Sequence, residues 1–354
     1  MAYTNIDDPS AHFQTAPLWS GQASQLVITN DGNSDLQPDF VWIKCRNASQ
    51  PFALVDSTRG TSKYLSCAST AAEATDTGRL TSFNTDGFTL GGGSGPVNTG
   101  GGNYVGWQWK ANSGTTSTNT DGDINSTVQV NSDAGFSIVQ YNPSNATARS
   151  IGHGLGVQPQ VVIVRARDRV ENWRVFHRGA GTTGSLMLDS DAAYNSNTVL
   201  FAADSTSTVF KVGTDFSVNG AYNYIAYCFA EKQGYSKFGY YTGNGTAGDG
   251  PFVYTGFKPA FVILKTTDIA LDWFVYDHKR PGSGNFNEIK SVLYANATSG
   301  GSGASYRGID FLSNGFKLRN GGNGGPNQSA QKYIYMAFAE EPFVTSTGVP
   351  ATAR

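Results

Sequence analysis

The amino-acid sequence predicts an all-β protein made of three related β-sandwich or jelly-roll-like domains in tandem. Gly accounts for 43 of the 354 residues, aromatic residues for 12 % and charged residues for only 15 %. This composition is poor in the residues that fill amphipathic helices and rich in those that strands and turns use. The chain is also longer than one small domain and can bury two or three separate cores.

The first recurring element is a strand that begins with Pro, continues with β-branched and aromatic residues and ends on Lys or Arg. Pro is tolerated at a strand start because no ladder hydrogen bond needs its missing N–H there. The element occurs three times, at residues 38–44, 159–165 and 259–265.

Two further elements follow the Pro-initiated strand in every copy. One places an aromatic residue first and a polar residue fifth, at residues 52–56, 173–177 and 273–277. The other alternates small and aromatic residues, as a strand with one tightly packed face does, at residues 103–110, 223–230 and 332–339. Since the order and approximate spacing of the elements hold in all copies, they predict three tandem repeats. With the shorter apolar segments between them, each repeat has the strand density of a β-sandwich or jelly roll.

The repeats set the predicted domain boundaries. Residues 113–134 are dominated by Ser, Thr, Asn, Gly and Asp, cannot bury enough apolar surface to fold alone, and are predicted to be a linker. Only residues 231–234 join the second and third repeats, so we expect these two to pack against each other. The predicted parts are sandwich repeats at 1–112, 135–232 and 233–343, the linker, and a flexible tail at 344–354.

Charge and cysteine content argue against several classes of partner. The net charge is −2 and no run of Lys or Arg stands out, so we expect no nucleic-acid binding and no attraction to anionic membranes. The start of the chain lacks the features of a signal peptide, and no apolar run is long enough to span a bilayer, so no membrane insertion is expected. Cys45, Cys67 and Cys228 lie far apart and are expected to be buried free thiols.

No catalytic constellation is apparent among the polar residues. The four histidines lie in different sequence neighbourhoods, without a metal-ligand spacing or a nucleophile elbow. Asp56, His177 and Asp277 occupy the same slot of the three repeats, but equivalent slots of tandem domains lie farther apart than a catalytic triad allows. We therefore predict no catalytic residue and no cofactor.

A calcium site is also not expected. Asp121, Asp123 and Asn125 alternate as oxygen ligands do in a calcium loop, but the Glu at the twelfth position and the flanking helices are absent. A solvated linker explains this segment better, and no metal site is predicted.

The surface loops offer better candidates for ligand binding. Trp rings can stack on sugars, but most of the six Trp residues alternate with apolar neighbours and are predicted to be core. The loop at residues 240–249 is rich in Tyr, Asn, Gly and Asp. The predicted ligand-binding residues are Tyr240, Tyr241, Asn244 and Asp249.

Several of these segments resemble those of virion proteins common in marine bacteriophages, cyanophages among them. The resemblance is carried by residues 1–4, 37–44, 151–156, 224–231, 234–239 and 335–343. It therefore spans nearly the whole chain, from Met1 to Phe343. It implies a tail-fibre-like virion component with repeated β-rich domains, and it brings no catalytic residues with it.

Three functions follow, in order of preference. We expect a non-enzymatic structural component of a bacteriophage virion, a tail fibre or appendage that adheres to host surface glycans. The alternative is a head decoration or fibre protein on the capsid, since no long coiled-coil or β-helical shaft is present. A polysaccharide-degrading enzyme is least favoured, because Asp189, Asp191 and Glu288 show no pairing signal.

The partners expected from this function are other virion proteins and a host surface glycan. The chain would be made in the host cytoplasm and end in the virion. A fibre is compatible with a homotrimer, although three repeats in one chain can also supply pseudo-threefold symmetry by themselves.

Overall fold

The computed structural model describes residues 4–92, 95–143, 147–280, 288–301, 307–319, 321–322 and 324–341. In these ranges the regular structure consists of β-strands and one short 3₁₀ helix, Pro9–Ala11, which confirms the predicted all-β class. The same ranges contain no helix with the length and apolarity of a membrane span. We refer to residues 4–112 as unit 1, 113–232 as unit 2 and 233–341 as unit 3.

Unit 1 consists of two stacked sheets and a short ribbon. Its strands are β1 (Phe13–Thr15), β2 (Trp19–Ser20), β3 (Leu26–Ile28), β4 (Phe40–Cys45), β5 (Ala53–Asp56), β6 (Lys63–Tyr64), β7 (Ala74–Thr75), β8 (Leu80–Phe83), β9 (Phe88–Leu90) and β10 (Asn103–Trp109). The larger sheet has the order β1-β10-β4-β5, with β2 also paired to β10. The smaller sheet has the order β3-β9-β8, and β6 pairs with β7.

Unit 2 repeats this arrangement with two additional strands at one edge. Its strands are β11 (Ser117–Asn119), β12 (Ser126–Asn131), β13 (Phe136–Tyr141), β14 (Arg149–Gly152), β15 (Val161–Ala166), β16 (Arg174–His177), β17 (Leu186–Met187), β18 (Phe201–Ala203), β19 (Val209–Val212) and β20 (Tyr224–Phe229). The larger sheet has the order β11-β12-β13-β20-β15-β16-β17, and the smaller one β14-β19-β18.

Unit 3 has two corresponding sheets, and in its described part no strand takes the place of β11 or β12. Its strands are β21 (Ser236–Thr242), β22 (Phe252–Tyr254), β23 (Phe261–Thr266), β24 (Phe274–Asp277), β25 (Glu288–Ile289), β26 (Leu293–Tyr294), β27 (Ile309–Leu312), β28 (Gly315–Leu318) and β29 (Lys332–Phe338). The larger sheet has the order β21-β29-β23-β24-β26, and the smaller one β22-β28-β27-β25.

The central part of the strand order in the larger sheets is the same in the three units. The last strand of each unit, β10, β20 or β29, lies between the first strands of that unit and its Pro-initiated strand. The Pro-initiated strands are β4, β15 and β23, and each pairs antiparallel with the last strand over six residues. Related repeats would produce this order, while the tandem relationship and the domain boundaries themselves stay predictions.

The predicted linker contains strands, which corrects the expectation for residues 113–134. β12 pairs with β13 from Ser126–Tyr141 to Asn131–Phe136, and β11 pairs with β12. Val128 is buried in the core of unit 2, and Ser126 Oγ donates to the Gly152 carbonyl at 2.7 Å. A polar segment can pair in this way because the free edge of β13 supplies the hydrogen-bond partners and a core to cover.

Alternate residues of the central strands face two different cores. In β4, Val41 and Ile43 pack into the core between the two sheets of unit 1. Phe40 and Trp42 point the other way, into a core that all three units share. The shared core contains Phe40, Trp42, Trp107 and Trp109 from unit 1, Ile163, Trp173, Tyr227 and Phe229 from unit 2, and Phe261, Ile263, Trp273, Met336 and Phe338 from unit 3. The larger sheets therefore close around one aromatic centre, which leaves a cavity of about 20 Å³.

Equivalent hydrogen bonds join the units in a closed cycle. They run from Glu73 N of unit 1 to Arg167 O of unit 2, from Tyr194 N of unit 2 to Thr267 O of unit 3, and from Gly301 N of unit 3 to Arg46 O of unit 1. Buried cations add a bond at two of these three contacts, since Lys44 Nζ donates to Thr298 O and Arg165 Nη2 donates to Thr70 O, both at 2.6 Å. The equivalent Lys265 Nζ donates to Thr266 O within unit 3. Each unit thus contacts both of the others, and the ring is closed within one chain.

Candidate ligand-binding surface

Two of the four predicted ligand-binding residues are adjacent tyrosines on β21. Tyr240 is 61 % exposed, and the Lys332 ammonium lies 4.5 Å from the centroid of its ring. Tyr241 is buried, stacks on Tyr333 with the ring centroids 5.2 Å apart, and donates its hydroxyl to the Pro326 carbonyl. Because neighbouring residues of a strand point to opposite faces, both rings cannot face one ligand. Tyr241 is therefore a core residue, which corrects the prediction made for it.

The other two predicted residues are exposed in the loop that follows β21. Asn244 Nδ2 donates to the Asp249 carbonyl, and Asn244 Oδ1 accepts from Thr246 N. The Asn244 side chain is therefore occupied in shaping the loop. The Asp249 carboxylate accepts from Lys317 Nζ at 2.8 Å in an exposed ion pair. Of the predicted set, Tyr240, Asn244 and Asp249 are exposed, and only Tyr241 is buried.

A buried Asn anchors the corresponding loops of each unit. Asn98 Nδ2 donates to Ser24 O and Gly91 O, Asn219 Nδ2 to Thr147 O and Gly213 O, and Asn327 Nδ2 to Asn244 Oδ1 and Thr246 O. In every unit a Tyr of the last strand stacks on an aromatic residue of a neighbouring strand, in the pairs Trp19 with Tyr104, Tyr141 with Tyr224, and Tyr241 with Tyr333. Sequence reasoning missed these anchors, although an Asn five or six residues before the Tyr of each closing strand could have revealed them.

All six Trp side chains are buried, at 7 % exposure or less. Five of them, Trp42, Trp107, Trp109, Trp173 and Trp273, belong to the shared core, and Trp19 belongs to the core of unit 1. The prediction that most Trp residues are core is confirmed, and no Trp ring is available to a sugar.

The three equivalent polar slots join different pairs of units. Asp56 accepts from the Tyr227 hydroxyl of unit 2, His177 Nε2 bonds the Tyr335 carbonyl of unit 3, and Asp277 accepts from Trp107 Nε1 of unit 1. Asp56 and Asp277 also form buried ion pairs with Arg59 and Arg280. Each slot therefore carries an inter-unit contact of its own.

The histidines make stability depend on pH. Burial lowers the pKa of His153 and of His177 from 6.5 to about 4 in each case. Below pH 6.5 the unfolded chain takes up protons that the folded chain accepts only near pH 4, so the stabilisation is complete above pH 6.5 and is lost as pH falls. We expect each of these two histidines to lower the free energy of unfolding by about 2 kcal/mol at pH 5 relative to pH 7. Urea unfolding at the two pH values measures this difference.

The variant His177→Gln separates the contribution of that histidine. Gln retains a hydrogen-bond donor toward the Tyr335 carbonyl but does not titrate, so its stability should change less between pH 7 and pH 5. His278 acts in the opposite direction: burial lowers its pKa, but Glu340 outweighs burial and raises it, so its stabilisation is complete below pH 6.5. An unchanged pH dependence in His177→Gln would contradict the assignment.

The described hydrogen bonds do not join the carboxylates that a polysaccharide-degrading enzyme would need, Asp189, Asp191 and Glu288. Asp189 accepts from Asn172 Nδ2 at 3.0 Å and from Trp173 N at 3.1 Å, and burial raises its pKa. Asp191 is exposed, and the side chain of Glu288 lies outside the described residues.

Asp121 and Asp123, whose spacing resembles that of a calcium loop, form hydrogen bonds with neighbouring residues of unit 2. The Asp123 carboxylate accepts from Ser150 N and Ser150 Oγ, both at 2.8 Å, and Asp121 accepts from Asn119 Nδ2. In the described ranges no group of three or more His, Cys, Asp or Glu side chains is arranged to hold a metal ion.

A polar cleft of about 240 Å³ lies on the larger sheet of unit 2. It is lined by Asn125, Thr127, Gln140, Tyr141, Asn142, Arg167, Asn223 and Tyr224. Thr127 of β12 and Gln140 of β13 are cross-strand neighbours. Arg167 is held by two hydrogen bonds to the Glu73 carboxylate of unit 1, at 2.9 and 3.0 Å. The cleft therefore lies beside the boundary between units 1 and 2.

A second groove, of about 560 Å³, opens on unit 3 between β21 and β22. Its lining includes Glu231, Gln233, Lys237 and Tyr254, and Tyr254 is 63 % exposed. Among the described residues, β21 and β22 are edge strands of their sheets. In unit 2 the corresponding side is covered by residues 117–131, which pair with β13 and contact β14.

Comparison with known proteins gives one finding. A family model described as a domain of unknown function, DUF7483, matches residues 8–342 and so spans all three units. No curated protein and no solved structure matches the chain.

Proposed function

This chain belongs to the DUF7483 family, whose function is unknown, and we propose that it is a structural component of a bacteriophage virion. Its role there is that of a tail fibre or appendage that adheres to host surface glycans without catalysing a reaction. The resemblance of its segments to virion proteins of marine phages supports a place in the phage particle. The exposed loops support a role in adhesion.

The observation that carries the proposal is the display of three anchored loop clusters on one closed body. Binding residues commonly lie on loops that a rigid scaffold positions. Here each cluster is held by a buried Asn, namely Asn98, Asn219 or Asn327, and each scaffold shares the same aromatic core. Weak contacts by such loops become strong when many copies act from one particle.

The test is the position of the protein on the particle. Intact particles of the phage that encodes the chain are imaged by cryo-electron microscopy with antibody labelling. We expect label on the tail fibre or tail tip, and purified protein should bind polysaccharide isolated from the host surface. Absence of the protein from purified particles would overturn the proposal.

A head decoration protein is the second candidate, and the open side of unit 3 favours it. An exposed sheet edge is a template for strand addition by another chain, which is one way in which proteins are joined. In unit 2 the corresponding edge is covered by the chain's own β12, whereas β21 has no such neighbour among the described residues. An extended segment of a capsid subunit would fit that edge. Label on the head would favour this candidate over the tail fibre.

A further inference from the structure

We propose that the polar cleft of unit 2 is a binding subsite for a single neutral sugar residue. The inference rests on the proposed function, since it names the ligand class and the site through which adhesion would act. Three features of the cleft carry it: side chains without partners, balanced charge, and a size that fits one ring.

Three uncharged side chains of the cleft have hydrogen-bonding capacity that the fold does not use. Asn125, Thr127 and Gln140 line the cleft, and their side chains make no hydrogen bond to other described residues. An amide offers both donors and an acceptor, and a hydroxyl offers both roles as well. This mixture matches a sugar ring, whose neighbouring hydroxyls also donate and accept.

The charge of the cleft is balanced within the protein. Arg167 is the cation that lines the cleft, and its Nε and Nη2 donate to the Glu73 carboxylate of unit 1. The two remaining amides face each other, with Asn142 Nδ2 donating to Asn223 Oδ1 at 3.0 Å. Because the Glu73 carboxylate already pairs with the charge of Arg167, the cleft attracts a phosphate or carboxylate less than an unpaired cation would, and a neutral ligand is favoured.

Size and position predict one site per chain. The volume of about 240 Å³ lies below the roughly 300 Å³ at which pockets for drug-sized ligands begin, so it suits one ring. One wall, with Asn125 and Thr127, comes from the segment that adds β11 and β12 to unit 2. At the position of Gln140, unit 3 has Tyr240, whose ring lies against the Lys332 ammonium, and among the described residues no strand is added beside β21.

The test measures binding of defined probes to the full chain by saturation-transfer NMR and calorimetry. The probes are glucose, galactose, mannose, sialic acid and inorganic phosphate. We expect at least one neutral hexose to bind with a stoichiometry of one and millimolar affinity, and Gln140→Ala to weaken binding by at least tenfold. Gln25→Ala, which alters an exposed Gln of unit 1, is the matched control and should bind as the unaltered chain does.

The outcomes separate this inference from the proposed function. If host polysaccharide binds but neither Gln140→Ala nor Thr127→Val weakens binding, the subsite is wrong and adhesion stands. If the chain binds no hexose and no host polysaccharide, both fail. If the chain bound sialic acid or phosphate more tightly than the hexoses, the proposal that the ligand is a neutral sugar would be wrong. Both variants alter a cleft side chain, so an unchanged thermal midpoint is required to attribute lost binding to the cleft.

Discussion

Replacing Trp109 by Ala is expected to destabilise all three units together and to lower the free energy of unfolding by about 3–5 kcal/mol. The Trp109 ring packs against aromatic rings of every unit, with centroid distances of 5.0 Å to Phe13, 5.4 Å to Phe40, 6.3 Å to Phe229, 5.8 Å to Phe261 and 5.5 Å to Phe338. Since the ring lies at the junction of the units, its loss leaves a cavity that no single unit can close.

Hydrogen exchange resolved by segment measures this effect. In Trp109→Ala, exchange should rise in β20 and β29 as well as in β10. Phe210→Ala is the matched control, because Phe210 belongs to the separate core of unit 2, and its effect should be concentrated in the strands of that unit. A rise confined to unit 1 in Trp109→Ala would contradict a shared core.

The variant Trp109→Phe tests whether the ring acts through packing. Trp109 Nε1 is buried without a hydrogen-bond partner among the described residues. Phe retains an aromatic ring and removes this unsatisfied donor, so it should cost much less than Ala. A loss as large as that of Trp109→Ala would point to a contact of the indole nitrogen.

Replacing Asp56 by Ala is expected to lower the free energy of unfolding by about 3–5 kcal/mol, because it leaves a buried cation without its main partner. The side chains of Asp56 and Arg59 are both fully buried. Burial by itself lowers the pKa of Arg59, but Asp56, Tyr227 and Glu73 outweigh burial and raise it. Since Asp56 also accepts from Tyr227 of unit 2, the loss weakens the contact between units 1 and 2.

Urea unfolding at pH 7 measures this loss against two controls. Asp56→Asn retains hydrogen bonding without the charge and should fall between the unaltered chain and Asp56→Ala. Asp249→Ala removes an exposed ion pair with Lys317 and should leave the midpoint unchanged. If Asp56→Ala were as stable as Asp249→Ala, the network around Arg59 would contribute nothing to the fold.

The sequence predicted the strands of the repeats well because their patterns are local. The three Pro-initiated runs are β4, β15 and β23, and each begins two residues after its Pro. The aromatic-first elements are β5, β16 and β24, and the closing elements are β10, β20 and β29. β-branched residues, aromatic residues and Pro act through the backbone of their own segment, so their effect can be read without knowing the fold.

The candidate site could be predicted less well, because whether a side chain is exposed to a ligand depends on the residues that pack around it in the fold. Tyr240 and Tyr241 look alike in the sequence, but the register of β21 buries one ring against Tyr333 and exposes the other. The polar cleft was missed because one of its walls belongs to residues 113–134, whose composition is that of a linker. That segment becomes a strand only when the edge of β13 lies beside it.

The sequence by itself determined the all-β class, the recurring strands and the burial of most of the Trp residues, since each follows from local composition and alternation. Only the tertiary structure decided that both faces of the central strands of the larger sheets are buried, because alternation shows that a strand has two faces but not what covers them. It also decided which side chains meet across units, such as Asp277 with Trp107. Such contacts join residues far apart in the chain, and their geometry arises only when the three units close into a ring.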